Sequence, residues 1–285
     1  MKPILSKTDE SVSVVIPTYN SEKSLLFCLK SINAQSCPCK EILVVDNYSR
    51  DETRRVAETF NAKIFLRRGT QAAARNLGLF NSTAKYVLFV DSDQLLEADV
   101  VEACMKTCNS RQVEAVKIPE VFIGENFWGR CSAFWKNKMV TAWGEEGGIP
   151  RFYRRDVLLR FSAFNDELRF WDDQELHQRL KDAGVKEAWC KSRVFHCESG
   201  SLRDVTVKYL SYGQSIVTFE ETGKNAPRIL TAKLTVSTML EVLRNPGRSL
   251  RLFLGFAFLF AVKSMSAALG FLANQSFLSS PQRME

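Results

Sequence analysis

The sequence predicts an α/β protein with a mostly parallel central sheet, helices on both faces, and apolar helices near the C-terminal end. Short β-branched runs alternate with helical patterns of about 10 to 12 residues, which is typical of a parallel sheet. The runs are apolar throughout, as in strands buried on both sides. The 285 residues, 45% hydrophobic and 25% charged, suffice for one large domain and an appendage, and they exclude a disordered or collagen-like protein.

The elements follow one another in a regular order. We predict strands at residues 11–17, 41–46, 64–66 and 85–90. We predict helices from Ser21 onward, at 49–60, at 71–80 and from about Glu97 onward. Ser49 is the predicted N-cap of the second helix, because Glu52 three residues later completes a capping box.

Polar side chains follow three of the four predicted strands. They are Tyr19 and Asn20, then Asp46 and Asn47, and finally Asp91, Ser92 and Asp93. Ligands of such sheets lie beyond the carboxyl ends of the strands, near the point where strand order reverses, so we expect these groups to line one crevice. The carboxylates would repel one another there unless a cation lay between them. A divalent ion shared with diphosphate oxygens fits this requirement.

Structural explanations for the same residues remain open. The 91–93 turn could cap the helix predicted near Glu97, and Asp46 with Ser49 could shape the turn before the next helix. Arg75, which precedes Asn76 on the third helix, could fork onto a carboxylate or a phosphate, or could be a solvated surface cation.

Four segments carry a resemblance to a known family. In this order and at this spacing, VSVVIPTYN, EILVVDNYS, AAARNLGL and KYVLFVDSD resemble the family 2 glycosyltransferases of GT-A fold. Residues 149–180 resemble that family's acceptor loop and acidic catalytic motif, and the whole resemblance covers residues 12–215. It implies a GT-A (Rossmann-like) sheet and an inverting transfer from a nucleoside-diphosphate sugar.

The resemblance implies roles at individual positions on the donor side. Pro17, Tyr19 and Asp46 match the nucleobase-contacting positions, and Asn20, Asn47, Arg75, Asp91 and Ser92 complete the nucleotide-binding set. Asp91 and Asp93 match the pair that holds Mn²⁺ or Mg²⁺ on the donor diphosphate. His196 matches a histidine that approaches the metal, although it could equally be a satisfied core or turn histidine. Tyr48 departs from the family, which often has Gly there.

The resemblance also implies the acceptor side. Asp173 matches the general base, and Asp172 stands where the family usually has Glu. With Trp143, Gly147 and Gly148, Asp172 forms the predicted acceptor-binding set. For Asp172 and Asp173 an acidic first helical turn is the alternative, and for Trp143 it is plain packing.

The C-terminal tail predicts contact with a membrane surface. Residues 224–285 hold eight Lys or Arg and two acids, a net charge of +6 out of +7 for the chain, and residues 252–262 form an unbroken apolar run. Helical spacing separates Arg251, Gly255, Ser266 and Gly270 from Phe253, Phe256, Phe260 and Phe271. We expect residues 246–285 to lie on an anionic membrane, with Lys263 disfavouring a full span. An earlier helix at 227–244, with Leu234, Met239 and Leu243, could continue this surface. Packing on the catalytic domain or on a second copy is the alternative.

These observations lead to one functional reading. The sequence starts without a secretory signal, which favours the cytoplasmic face of the cell membrane and reduced cysteines, and nucleic acid is not an expected partner. We expect a metal-dependent inverting glycosyltransferase acting on a lipid-linked acceptor, similar to polyprenyl- or dolichol-pathway mannosyltransferases, with GDP-mannose favoured over UDP-sugars. A nucleotidylyltransferase and a non-catalytic nucleotide-sugar or membrane-binding module remain the alternatives. The predicted domains are 1–223, with a donor half at 1–120 and an acceptor half at 121–223, and a membrane-association segment at 224–285.

Overall fold

The computed structural model describes residues 10–144, 147–168, 171–221, 240, 244 and 249–278. The strands are β1 Val12–Thr18, β2 Glu41–Asp46, β3 Lys63–Leu66, β4 Tyr86–Phe89, β5 Gln94–Leu96, β6 Ala115–Lys117, β7 Glu120–Ile123, β8 Pro150–Arg154, β9 Glu187–Trp189 and β10 Val194–Cys197. The helices are α1 Glu22–Asn33, α2 Thr53–Thr59, α3 Gln71–Asn81, α4 Val100–Arg111, α5 Phe127–Trp143, α6 Arg155–Arg160, α7 Asp172–Asp182, α8 Leu202–Glu221 and α9 Ser249–Leu278.

The main sheet has seven strands in the order β3-β2-β1-β4-β8-β6-β9. Strands β3, β2, β1 and β4 are mutually parallel, β8 is antiparallel to both β4 and β6, and β9 is parallel to β6. The chain builds outward from β1 to β3 and then returns to place β4 on the other side of β1. Strand order therefore reverses between β1 and β4, and their carboxyl ends mark the expected ligand crevice. The predicted α/β class is confirmed.

Helices cover both faces of the sheet, and each face has its own apolar core. Successive residues of β1 alternate between the cores, with Val14 in one and Val15 in the other. The Val14 core takes apolar residues from α1, α2 and α4, and the Val15 core takes them from α3, α6 and α7. All seven β1 residues are buried, which explains the apolar run in the sequence.

Helix α3 lies unusually close to β1. A Cβ atom built on Gly78 would overlap Cγ1 of Val15, and it would lie 3.2 Å from the Val15 Cβ. Only glycine permits this approach. Arg75 lies three residues earlier on the same helix, so the close packing also fixes where its guanidinium reaches.

Two local predictions were wrong. Helix α2 starts at Thr53 rather than Ser49, because the Ser49 hydroxyl donates to Asp46 instead of capping a helix. Asp51 accepts from the Thr53 amide at 3.1 Å. The turn after Asp91 leads into strand β5, not into a helix near Glu97, so it does not cap α4.

The chain divides into two compact units. Unit 1 comprises residues 1–121, 145–167 and 172–196, and unit 2 comprises 122–144, 168–171 and 197–285. This division differs from the predicted boundary at residue 223, because α5 and α8 pack with α9 in unit 2. The assignment of residues 224–285 to membrane association stays a prediction. The predicted helix at 227–244, with Leu234, Met239 and Leu243, lies outside the described residues apart from 240 and 244.

Unit 2 is built on the packing of α5, α8 and α9. The Trp135 ring stacks on Phe256, with ring centroids 4.3 Å apart. Close approach depends on glycine, since a Cβ on Gly213 or Gly270 would overlap backbone atoms of the facing helix. The tryptophan at 135 is therefore a packing residue.

The surface of α9 differs from the prediction in one respect. Gly255, Ser266 and Gly270 lie on one buried face, as the spacing indicated, but Phe253 and Phe256 are buried with them. Lys263 is also buried, and its Nζ lies 3.2 Å from the Ser132 hydroxyl. The exposed face is apolar instead: Leu254, Phe258, Phe260, Met265, Leu269 and Leu272 are each at least 47% exposed.

Candidate active site

The carboxyl end of β4 holds a carboxylate that is pinned from several sides. Asp91 follows this strand, and its Oδ1 accepts from Arg75 Nη2 at 3.0 Å and from Gln71 Nε2 at 2.8 Å. Its Oδ2 lies 3.1 Å from Arg151 Nη1. Burial alone would raise the pKa of Asp91, but the Arg151 and Arg75 guanidiniums outweigh it and hold the pKa below its usual range.

Arg151 extends this network to a second buried carboxylate. Its Nε lies 2.5 Å from Glu120 Oε1, so the guanidinium bridges Asp91, which follows β4, and Glu120, the first residue of β7. Burial works against the charge of Glu120, yet Arg151 and His196 lower the pKa of this carboxyl to about 2. The two carboxylates that Arg151 bridges, Asp91 and Glu120, therefore stay charged near neutral pH.

Arg75 ties Asp91 to the first turn of α7. Its Nη1 donates to Asp172 Oδ2 at 2.7 Å while Nη2 holds Asp91, and the arginine side chain is only 4% exposed. Of the two roles predicted for Arg75, the geometry favours the fork onto carboxylates. Asp172, predicted to bind acceptor, is itself buried against this guanidinium.

Asp173 follows directly and stays partly open to solvent. Its Oδ1 accepts from the Gln174 amide at 2.8 Å. Burial, and then the neighbouring Asp172 charge, raise its pKa above the ordinary value, against the lowering effect of Arg75 and Arg151. A carboxylate with a raised pKa in a charged cleft is the property expected of a general base.

Asp93 and His196 lie side by side. His196 Nε2 is 3.3 Å from Asp93 Oδ1, and the Asp93 side chain is 40% exposed. The imidazole is fixed by Gln94 Nε2, 3.4 Å from Nδ1, and by Glu120. Burial would lower the pKa of His196, but Asp93 and Glu120 raise it to about 9.

The donor atoms of Asp91, Asp93 and His196 are of the types that bind divalent cations. Carboxylate oxygen and imidazole nitrogen suit Mn²⁺, with diphosphate and water supplying the remaining ligands. Within the residues that the structure describes, no three His, Cys, Asp or Glu side chains form a cage. Both oxygens of Asp91 accept from guanidinium or amide donors, and Asp93 pairs with His196, so a bound cation would have to replace some of these contacts. The metal role of Asp91, Asp93 and His196 stays a prediction.

The predicted nucleobase edge is assembled at the end of β1 and β2. Asp46 is fully buried, and its carboxylate accepts from the Ser49 amide at 2.9 Å and from Thr18 Oγ1 at 3.2 Å, which supports the turn-shaping explanation. Tyr19 is 58% exposed and available to stack on a base. Tyr48 has a left-handed φ of 57°, which explains why glycine suits this position.

The other predicted donor-side residues occupy the same strand ends. Pro17 pairs with Val45 inside the sheet, Asn20 Oδ1 accepts from the Arg50 amide at 2.9 Å, Asn47 Nδ2 lies 3.4 Å from the Gly69 carbonyl, and Ser92 Oγ lies 3.0 Å from Ser21 Oγ. These contacts order the loops. A nucleotide contact at each of them stays a prediction.

The predicted acceptor residues are divided between the units. Trp143 ends α5 in unit 2, and its side chain lies outside the described set. Gly147 and Gly148 belong to unit 1. Gly148 has a φ of 77°, and a Cβ there would overlap the Trp189 ring, so this position requires glycine for structural reasons. Their acceptor role stays a prediction.

Sequence reasoning missed four residues of the site: Gln71, Gln94, Glu120 and Arg151. Gln71 lies one turn before Arg75 on α3, which is a signal that the helical spacing could have supplied. Arg151 and Glu120 stand on short strands that pattern alone does not place beside β4.

Comparisons with known proteins identify the family of the chain. A family model described as glycosyl transferase family 2 matches residues 13–168. The minor teichoic acid biosynthesis protein GgaA of Bacillus subtilis is 29% identical over 189 residues, which are 59% of this chain and 42% of GgaA. The chain thus spans less than half the length of that relative.

Solved structures share the fold. Mannosyltransferase PcManGT from Pyrobaculum calidifontis, in complex with GDP-Man and Mn²⁺, gives a TM-score of 0.58 at 19% identity, covering 92% of this chain and 86% of that one. Staphylococcus aureus TarS 1-349 in complex with UDP gives 0.53 at 18% identity, covering 94% and 91%. At this identity the likeness establishes the fold. Since the family model also spans more than half of the sequence, the chain belongs to glycosyl transferase family 2.

Proposed function

We propose that the protein is a metal-dependent inverting glycosyltransferase that uses a nucleoside-diphosphate sugar. The observation that carries the proposal is Asp173, a partly open carboxylate with a raised pKa, connected through Asp172 and Arg75 to the strand end at Asp91. With family membership shown, a nucleotidylyltransferase is no longer a competing explanation.

The residues divide the chemistry between them. Asp173 takes the proton of an acceptor hydroxyl, and the freed oxygen attacks the anomeric carbon from the face opposite the diphosphate. No enzyme nucleophile is needed for inversion. Asp93 and His196 would hold a divalent ion, which would stabilise negative charge on the departing diphosphate. Asp91, Arg75 and Arg151 keep the strand end rigid and charged.

The donor is proposed from the sequence and from the neighbours. GDP-mannose is the donor favoured by the sequence, and it is supported by the likeness to PcManGT. UDP-GlcNAc is the competing donor, since TarS 1-349 is also described in complex with it. Release of GDP or UDP from each sugar, with Mn²⁺ and with EDTA, tests donor and metal together. Equal release with and without EDTA would contradict the metal.

Asp173→Asn tests the base. The amide keeps the shape of the side chain but cannot accept a proton, so we expect nucleoside diphosphate release to fall by about 10²- to 10⁴-fold. Mn²⁺-dependent binding of GDP or UDP, measured by calorimetry, should be unchanged. Full turnover by this variant would exclude Asp173 as the base, whereas absence of turnover in the wild type would favour a non-catalytic binding module.

We further propose that α9 attaches the protein to the cytoplasmic face of an anionic membrane, where a lipid-linked acceptor is available. Within the described part of the chain, one stretch, Leu250–Ala273, is long and apolar enough to cross a membrane, and 33% of it is buried. Lys263 faces the helix partners, so the outward surface of α9 is apolar. The +6 charge of residues 224–285 complements acidic lipids.

Substitutions on the outward face test the membrane proposal without removing α9 from its partners. Leu254→Glu with Leu269→Glu should abolish co-sedimentation with phosphatidylglycerol vesicles, and both leucines are at least 59% exposed. Phe27→Glu on unit 1, a phenylalanine 57% exposed, is the matched control and should sediment like wild type. If the double variant still sediments but loses a dimer seen by light scattering, the face binds a second copy instead.

A further inference from the structure

We propose that Arg75 is a positioning residue of the transfer reaction, which holds Asp172, and with it the adjacent Asp173, in place against the carboxyl end of β4. The inference rests on the proposed role of Asp173 as base. It assigns Arg75 to the acceptor side of the reaction rather than to the nucleotide.

The geometry of the fork is the first support. Nη1 lies 2.7 Å from Asp172 Oδ2 and Nη2 lies 3.0 Å from Asp91 Oδ1, two carboxylates that are far apart in the sequence. The Nε atom of Arg75 is buried without a hydrogen-bond partner in the described structure. The orientation of the guanidinium is therefore set by the two carboxylates. Its Cζ atom also lies over the Phe164 ring, 5.5 Å from the ring centroid.

The two carboxylates depend on Arg75 to different degrees. Asp91 is also held by Arg151 at 3.1 Å and by Gln71 at 2.8 Å, so it keeps two partners if Arg75 is removed. Asp172 has Arg75 as its one side-chain partner within the described residues. Loss of Arg75 should therefore release the first turn of α7 and leave the end of β4 in place.

The backbone before α7 makes this hold necessary. Trp171 precedes the helix with a left-handed φ of 62°, a conformation that is strained for a residue with a side chain. The chain alone thus disfavours the entry to α7. The buried ion pair at the next residue fixes the turn on which Asp173 stands.

Arg75→Ala tests the inference with a chemical rescue. The substitution leaves a buried space between two carboxylates, so millimolar guanidinium chloride should occupy it, whereas urea has the same shape without the charge. We expect kcat for nucleoside diphosphate release to fall about 100-fold, as for a displaced catalytic group, with donor KM and Mn²⁺-dependent GDP or UDP affinity unchanged. Guanidinium should restore about tenfold of this, and urea none.

Two variants complete the design. Arg55→Ala removes an exposed arginine of α2 and should show neither loss nor rescue. Arg75→Lys keeps the charge but reaches one carboxylate at a time, so it should lose about tenfold in kcat, and it carries the test if Arg75→Ala does not fold.

Specific results would overturn the inference. Weaker nucleotide binding with kcat intact would place Arg75 on the donor, and a loss of kcat that guanidinium does not restore, together with a lower melting temperature, would make it purely structural. Failure of the proposed function is a separate result: full turnover by Asp173→Asn removes the base, whereas inactive Asp173→Asn beside active Arg75→Ala removes only the role of Arg75.

Discussion

The close contact between Gly78 and Val15 predicts that Gly78→Ala destabilises the fold by an amount that depends on the Val15 side chain. In wild type, Gly78→Ala inserts a methyl group that overlaps Cγ1 of Val15 and meets Cγ2 at 3.0 Å, in a fully buried site. Overpacking of this kind costs about 2 kcal/mol net, or a fall of about 5 °C in melting temperature for a chain of this size. Displacement of α3 also moves Arg75, so nucleoside diphosphate release should fall as well.

Val15→Ala removes the two obstructing methyl groups and should remove most of this cost. The Val15 Cβ stays 3.2 Å from the inserted methyl group, a tight contact that offsets the better helix propensity of alanine, so Gly78→Ala should be close to neutral in that background. The resulting coupling of about 2 kcal/mol lies within the range for residues in contact. Val44→Ala, in the core on the opposite face of the sheet, is the matched background and should leave the Gly78→Ala cost unchanged. Equal costs in all three backgrounds, by thermal unfolding, would refute the packing argument.

Two further predictions concern the acidic residues. Asp93→Asn should lose Mn²⁺-dependent binding of GDP or UDP, measured by calorimetry, with little change in the free energy of unfolding. Asp91→Asn should lower the free energy of unfolding by about 3 kcal/mol, because it breaks a buried charge network, and the reverse pattern would exchange the two roles. Asp173→Asn should raise the melting temperature, since the folded state disfavours the Asp173 charge. The gain in stability should be full at a pH above the raised pKa of folded Asp173 and should vanish at a pH below the pKa of the unfolded chain, near 3.8. A gain in stability that grows in acid would contradict the upward direction of the pKa shift.

The sequence predicts the layers of the fold because burial leaves a strong pattern. The runs at β1, β2 and β4 are apolar on both faces, and α3 carries a clear helical spacing, so their order and the crevice at their carboxyl ends could be foreseen. The hydrogen-bond partners of polar side chains in the turns could not be foreseen. Ser49 and Glu52 read as a capping box, but a buried Asp46 nearby takes the Ser49 hydroxyl instead.

The charges of the site show the same limit. Motif spacing indicates that Asp91, Asp93 and Asp173 belong to the site, but it does not show which of these carboxylates pairs with an arginine. Arg151 and Glu120 come from strands separated from β4 along the chain, and only the antiparallel placement of β8 puts a guanidinium beside Asp91. The assignment of Asp91 to the metal stays a prediction, and the sequence gives no sign of the two arginines that contact this carboxylate.

The two carboxylates that pair with Arg75 are far apart in the sequence, and this limits where the chain can be shortened. A fragment cut at residue 168, where the family model stops, would contain the buried guanidinium but not Asp172, and it would also lack the histidine at 196. In such a fragment the buried Arg75 would keep Asp91 but would lack its second carboxylate partner, Asp172. Shortening from the C-terminal side should therefore keep both carboxylate partners of Arg75 and the histidine at 196 only when it stops beyond β10.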